Sequence, residues 1–234
     1  MPLQFDTKDY PEQRRGMLIC GINWGGNAEA LMSDPNRDRY HRSFFSDGSD
    51  WVMHSSKYSS RVVSWLNHLG MMLQTSPPLA GRLEKSISQV NWLPSQSVST
   101  QGQNNCEACA GHWEFFIEHL RAVEPSLILF LSVDLLYALN AEPCREHVAD
   151  TLGRPGDIRV ETRDLILSGK RHPRLRVGMQ SFQRATAIAL PHPAYRGGIA
   201  DEYIACFRDW VGLELQQYAQ AQRDRAPYKP SANL

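Results

Sequence analysis

The chain has 234 residues, 42% hydrophobic and 21% charged, and its 25 basic and 25 acidic side chains leave no formal net charge. Such a composition suits one globular domain with a sizeable core that needs no metal or disulfide. It excludes a membrane-spanning helix, since the best apolar run covers only residues 127–131, and it supplies no overall attraction to nucleic acid.

Residues 1–16 read as an irregular or helical lead-in without signal-peptide character, so a cytoplasmic protein is expected. Met17-Leu18-Ile19-Cys20 is a short apolar run before Gly21 and reads as the first buried strand. Residues 24–56 are rich in Gly, Ser, Asp and Asn, with Phe44, Phe45 and Trp51 among them, and read as a long loop of the kind that is either functional or disordered. Val62, Val63, Leu66 and Leu69 have helical spacing, which predicts a helix over 58–69 that stops at Gly70. A strand is predicted over 87–92, an exposed polar loop over 96–105, and a helix over 113–123 ended by Pro125. A strand over 127–131 and a short helix over 133–140 follow.

Residues 141–172 read as an irregular, basic insertion with a hairpin around 158–167. Further strands are predicted over 174–177 and 186–190, then a long amphipathic helix over 200–218 carrying Tyr203, Ile204, Phe207, Val211 and Leu215. Alternating strands and helices imply an α/β fold with a mainly parallel sheet covered on both faces. One domain is expected over residues 1–220, with 221–234 a flexible tail.

Five cysteines, an odd number, argue against a disulfide framework. Cys106 and Cys109 form a C-x-x-C pair with no second pair facing it, and no histidine motif completes a metal site, so no metal or cofactor is expected. Between Arg154 and Arg196 nine basic residues stand against three acidic ones. Arginine supplies 20 of the 25 basic side chains, and its planar fork suits phosphate.

Two segments carry the chemistry. Gly21-Ile22-Asn23-Trp24-Gly25-Gly26 follows the first strand, and Pro191-His192-Pro193-Ala194-Tyr195-Arg196 follows the last. Loops that leave the carboxyl ends of strands in a parallel sheet are where ligands bind. The first loop offers an amide, bare backbone and no bulk, and the second an imidazole held between prolines.

This pairing resembles the signature motifs of the uracil-DNA glycosylase superfamily. In that superfamily a Gly-x-Asn/Asp-Pro loop positions the attacking water, and a His-Pro-Ser loop stabilises the departing base and grips the DNA. The similarity covers roughly residues 17–210, including the segment in which the helix ending near Leu120 leads through Pro125 into the strand at 127–131. It implies a single three-layer α/β/α domain around a mainly parallel four-stranded sheet. It also implies a monofunctional, metal-independent enzyme, a monomer whose partner is DNA, that flips out a pyrimidine and hydrolyses its glycosidic bond. Asn23 and His192 would be catalytic: Asn23 holds the water, and His192 donates a hydrogen bond to the base as charge builds on it. Asn91 would read the base edge, Phe44 or Phe45 would stack on it, and Trp24 and Gly25 would bound the pocket. Tyr195, Arg196 and Gly197, with Arg171 and Arg174, would contact the duplex.

Three departures bear on the substrate. Trp24 replaces the proline of the first motif, and Ala194 replaces the serine after His-Pro. Gly25 stands where strict uracil enzymes carry a tyrosine that blocks a 5-methyl group. The expected substrate is therefore uracil or a bulkier, 5-modified pyrimidine, modified viral DNA being one source and repair or antiviral defence the role. The competing expectation is a catalytically silent binder of DNA or protein with the same fold.

Overall fold

The computed structural model describes residues 4–5, 10–22, 40–45, 57–74, 81–93, 109, 112–193 and 199–225. In chain order the elements are β1 (Gln4–Phe5), α1 (Tyr10–Gln13), β2 (Met17–Gly21), β3 (Tyr40–Ser43), α2 (Lys57–His68), α3 (Arg82–Lys85) and β4 (Ile87–Asn91). They continue with α4 (Trp113–Val123), β5 (Leu127–Phe130), α5 (Val133–Leu139), α6 (Cys144–Leu152), β6 (Arg159–Glu161), β7 (Ile166–Leu167) and β8 (Lys170–Arg171). The last are β9 (Val177–Ser181), β10 (Thr186–Ala189), α7 (Asp201–Ala205) and α8 (Arg208–Asp224).

Eight strands form one mixed sheet in the order β1-β3-β4-β2-β5-β10-β9-β6, twice the number implied by the resemblance. At its centre β4, β2, β5 and β10 run parallel, in a register that pairs Met17 with both Ile87 and Leu127, and Thr186 with Leu127. Antiparallel β3 joins one side and antiparallel β9 the other. At the centre β2 and β5 are buried on both faces, which explains their continuous apolar sequence. Because side chains alternate along a strand, Met17 and Ile19 enter one core with α2, α7 and α8. Leu18 and Cys20 enter a second core with α4, α5 and α6. Helices thus cover both faces. In the second core Trp92 stacks on Phe116 at 4.2 Å and donates its indole N–H to the Cys109 carbonyl at 2.8 Å. No helix among the described residues is long and apolar enough to cross a membrane.

Several elements differ from the sequence expectation, among them β3, which lies within the residues 24–56 expected to be loop and is held by antiparallel pairing to β4. Residues 144–152, expected to be irregular, form α6, whose Cys144, Val148 and Leu152 recur every four residues and are buried. That stripe is narrow and polar around, so it is visible only once a core faces it. The hairpin lies at 166–171 instead of 158–167, because β7 pairs with β8 around Ser168 and Gly169 while β6 pairs with β9. β9 starts at Val177, later than expected, since Arg174 and Arg176 turn outward into ion pairs. The long terminal helix is two, broken at Cys206 and Phe207. α8 also runs into the segment expected as a tail: buried Gln222 donates to the Arg15 carbonyl at 2.9 Å, and Arg223 to the Met71 carbonyl at 2.9 Å.

His119 of α4 lies wholly inside the protein, its Nδ1–H donating to the Phe115 carbonyl at 2.9 Å. Burial lowers its pKa to about 4 from 6.5. As pH falls, the unfolded chain takes up this proton first, so the stabilising effect of the neutral ring is complete above pH 6.5 and is lost as pH drops towards 4. At about 1.4 kcal/mol per unit, the loss is on the order of 3 kcal/mol. We expect His119→Leu to flatten the decline in chemical-denaturation stability between pH 7 and 4. An unchanged slope would show that other groups cause it.

Candidate functional site

Parallel pairing sends the carboxyl ends of β4, β2, β5 and β10 to one edge of the sheet. The ladder continues past the strands: Trp92 N–H donates to the Gly21 carbonyl and Leu93 N–H to the Ile22 carbonyl, both at 2.9 Å. On the other side Leu190 N–H donates to the Phe130 carbonyl at 2.8 Å. The first loop therefore departs beside Leu93, and the His192 segment leaves the same edge.

Gly21 and Asn91 are register partners, and the fit between them is close. A Cβ on Gly21 would stand 2.6 Å from Asn91 Oδ1, so a side chain there would displace the Asn91 amide, whereas the Tyr58 hydroxyl, at 3.6 Å, would remain in ordinary contact. Asn91 is 2% exposed and its side chain is engaged within the fold. The Tyr58 ring in turn lies 6.3 Å from the ring of His192, tilted by 51°. Asn91, Gly21, Tyr58 and His192 form a continuous row along the edge.

The electrostatics of this row are those of neutral groups. Burial raises the Tyr58 phenol well above its ordinary value, with a smaller contribution from Cys20, so the hydroxyl keeps its proton. His192 has a surface-exposed face, yet desolvation by the atoms packed behind it lowers its pKa, which favours the neutral imidazole at pH 7. The segment carrying it is fixed from α2: Arg61 donates to the Pro193 carbonyl, and Ser64 to Asp201 at 2.6 Å. An amide, a phenol and a neutral imidazole can hold water or a polar heterocycle through directed hydrogen bonds without a fixed charge.

Because β9 is antiparallel to β10, its amino end brings Arg174 and Arg176 to this same edge. The cations there have acidic partners. Asp164 lies 3.7 Å from Arg171 and 3.5 Å from Arg174, and Arg176 pairs with Asp134 at 2.9 Å. Arg163 is held between Glu161 and Asp209. Arg171 and Arg174, 71% and 55% exposed with long, loose pairs, keep most of their donors for another anion.

Of the residues expected from sequence, Asn91 and His192 lie at one edge, linked through Gly21 and Tyr58, and Arg174 reaches the same edge with Arg171 beside it across Asp164. Phe44 and Phe45, expected to stack on a base, pack edge to face at 5.1 Å inside the first core, and neither ring offers an exposed face. Asn23, Trp24, Gly25, Tyr195, Arg196 and Gly197 lie outside the described residues, as does Cys106. Among the described residues no cluster of three or more His, Cys, Asp or Glu side chains is arranged to hold a metal ion. Tyr58 and Arg61 were not foreseen. Both sit on one face of a helix, and no local pattern marks them as neighbours of the distant His192. Neither protein-family models nor curated protein sequences give a match to this chain.

The packing of Gly21 against Asn91 can be measured directly. We expect Gly21→Ala to displace the Asn91 amide, and Asn91→Ala to relieve the clash. A double-mutant cycle on folding stability should then give a coupling of about 1 kcal/mol, as for residues in contact. Additive effects would show that the two do not meet.

Proposed function

We propose that the protein is a DNA glycosylase similar to those of the uracil-DNA glycosylase superfamily. It takes a pyrimidine out of the duplex, uracil or a 5-modified base, and hydrolyses its glycosidic bond to leave an abasic site, without a cofactor. The observation that supports this reading most is the row Asn91–Gly21–Tyr58–His192 at the carboxyl edge of the parallel strands. It puts the departure of the Gly-x-Asn loop and the His-Pro segment beside one neutral, hydrogen-bonding surface.

Each group has a task in that reaction. The base must leave the stack because its sugar carbon is inaccessible in a duplex. As the bond breaks, positive charge develops on the sugar and negative charge on the base. A neutral His192 donates a hydrogen bond to the base oxygen, and such a preorganised donor acts most strongly where water is excluded. The Asn23 amide accepts a hydrogen bond from water and orients it, which is sufficient when the sugar is already nearly a free cation. Asn91, buried beside Gly21, would read a base edge through its amide by exchanging a contact it already makes within the fold. Tyr58, proton retained, adds a hydroxyl beside it. Arg171 and Arg174 bind phosphates and so position the duplex without reading its sequence. With Phe44 and Phe45 inside the core, stacking of the flipped base falls to another ring, and Trp24 is the candidate within the first loop. Gly25 leaves the C5 side of the base open.

The decisive assay treats duplexes carrying uracil, thymine or 5-substituted pyrimidines with the protein and scores alkali-sensitive strand breaks. Asn23→Ala and His192→Ala should each slow single-turnover cleavage by about a hundredfold to a thousandfold, with much smaller effects on DNA affinity. Binding with no cleavage of any duplex would instead favour a silent DNA-binding protein. Unchanged rates in both variants would remove the assigned roles.

Substituting Arg171 and Arg174 together by Gln should weaken binding to all sequences alike. The salt dependence should flatten by nearly one unit of slope for each phosphate that is no longer neutralised. A salt slope equal to that of the unsubstituted protein would put this surface away from DNA.

A further inference from the structure

A cavity of about 720 Å³ opens at the opposite, amino edge of the sheet, away from the row described above. Its walls come from the C-terminal ends of α4 and α6 and from the chain entering β2, β5 and β10. Three arginines line it, Arg15, Arg121 and Arg184, against two acids, Glu124 and Asp150. Glu124 is already paired with Arg14 at 3.1 Å, so Asp150 alone opposes the three cations.

The negative ends of α4 and α6 would oppose an anion here, but their carbonyls are engaged. Arg184 donates from Nε to the Thr151 carbonyl at 3.0 Å and from Nη2 to the Asp150 carbonyl. Arg15 N–H donates to the Val123 carbonyl at 2.9 Å. A helix end carries only about half a charge, screened near the surface, so the cavity stays positive.

Arg15 is held in an unusual way. Its backbone is left-handed, with φ 58°, a region that favours Gly or Asn. Its carbonyl accepts from Ser126 Oγ at 2.7 Å and from Gln222 Nε2 at 2.9 Å, so main-chain bonds on both sides fix the residue. Its guanidinium makes no hydrogen bond or ion pair with any described residue. Arg121 shares one donor with His147 at 3.2 Å and keeps the rest. Leu152 and Pro125 add apolar wall, and Asp150 and Thr151 add polar groups suited to hydroxyls. The volume falls within the range of small-molecule sites, about 300–1,000 Å³.

We propose that this cavity binds a small phosphorylated ligand of nucleotide size, its phosphate held between Arg15 and Arg121. Two guanidinium forks suit a phosphate better than a carboxylate, because they satisfy more than two of its oxygens. A separate, concave position on the far side of the sheet, of small-molecule volume, fits a soluble ligand in preference to a continuous nucleic-acid backbone. The site is independent of the glycosylase reading.

Isothermal titration of the full chain with AMP, pyrophosphate and adenosine tests the proposal, with a short single-stranded oligonucleotide as a competitor. AMP and pyrophosphate should bind, and adenosine should not. Arg15→Asn keeps a residue that tolerates the left-handed backbone, and Arg121→Gln lies on an exposed helix face, so both should fold, as thermal melting will verify. Each should weaken AMP binding at least tenfold, whereas Arg208→Gln, exposed on α8 away from the cavity, should leave it unchanged. No binding of AMP or pyrophosphate at millimolar concentration would overturn the proposal. So would equal affinity in folded Arg15→Asn and Arg121→Gln, or binding confined to the oligonucleotide.

Discussion

Parallel pairing of β2 between β4 and β5 is the constraint from which the rest of the molecule follows. A strand paired on both edges and buried on both faces has no exposed backbone and no polar face. It therefore requires a helical layer on each side, and the two separate cores supply them. Parallel pairing also fixes direction: each central strand must be followed by a crossover, so every loop leaving a carboxyl end emerges on the same edge. Residues far apart in sequence become neighbours for that reason alone. Gly21 meets Asn91 because the register between β2 and β4 makes them partners, and the ladder holds that register beyond the strand ends.

The two edges of the sheet differ in their electrostatics. At the carboxyl edge the row of Asn91, Tyr58 and His192 is neutral, because burial raises the phenol and lowers the imidazole in pKa. The arginines beside it are partly compensated, with Asp164 shared between two of them. The basic surplus counted along residues 154–196 is thus weaker in space than in sequence, since acids such as Asp134 and Asp209 come from outside the segment. The amino edge gathers Arg15, Arg121 and Arg184 from three different parts of the chain, which no count along the sequence reveals.

The legible part of the candidate site was its position in the strands. Asn91, near the end of the strand Ile87–Asn91, was singled out by the family resemblance. His192 between prolines after an apolar strand could be singled out because turn chemistry and strand ends are local signals. Tyr58 and Arg61 could not, since their relevance depends on how α2 crosses the sheet. Phe44 and Phe45 show the opposite failure. An aromatic pair next to a polar loop looks available for stacking, but Phe44 N–H donates to the Ile87 carbonyl at 3.0 Å and draws the pair into the core. Burial is a property of the assembled sheet and has no sequence signature at two residues.

The sequence by itself determined the α/β class, the four central strands and the helices over α2, α4 and α5, because apolar periodicity, prolines and glycines act over a few neighbouring residues. Tertiary structure alone decided the width of the sheet, the pairing of the short strands β6, β7 and β8, and the start of β9. Those segments are too short and too polar to choose a partner by propensity, and the partner they find is set by sheet edges already in place. It also decided α6, whose three buried residues have meaning only against the second core. The same division holds for chemistry: residue type was written along the chain, whereas proximity, protonation and the pairing of charges came from the fold, since each depends on groups brought together across long separations.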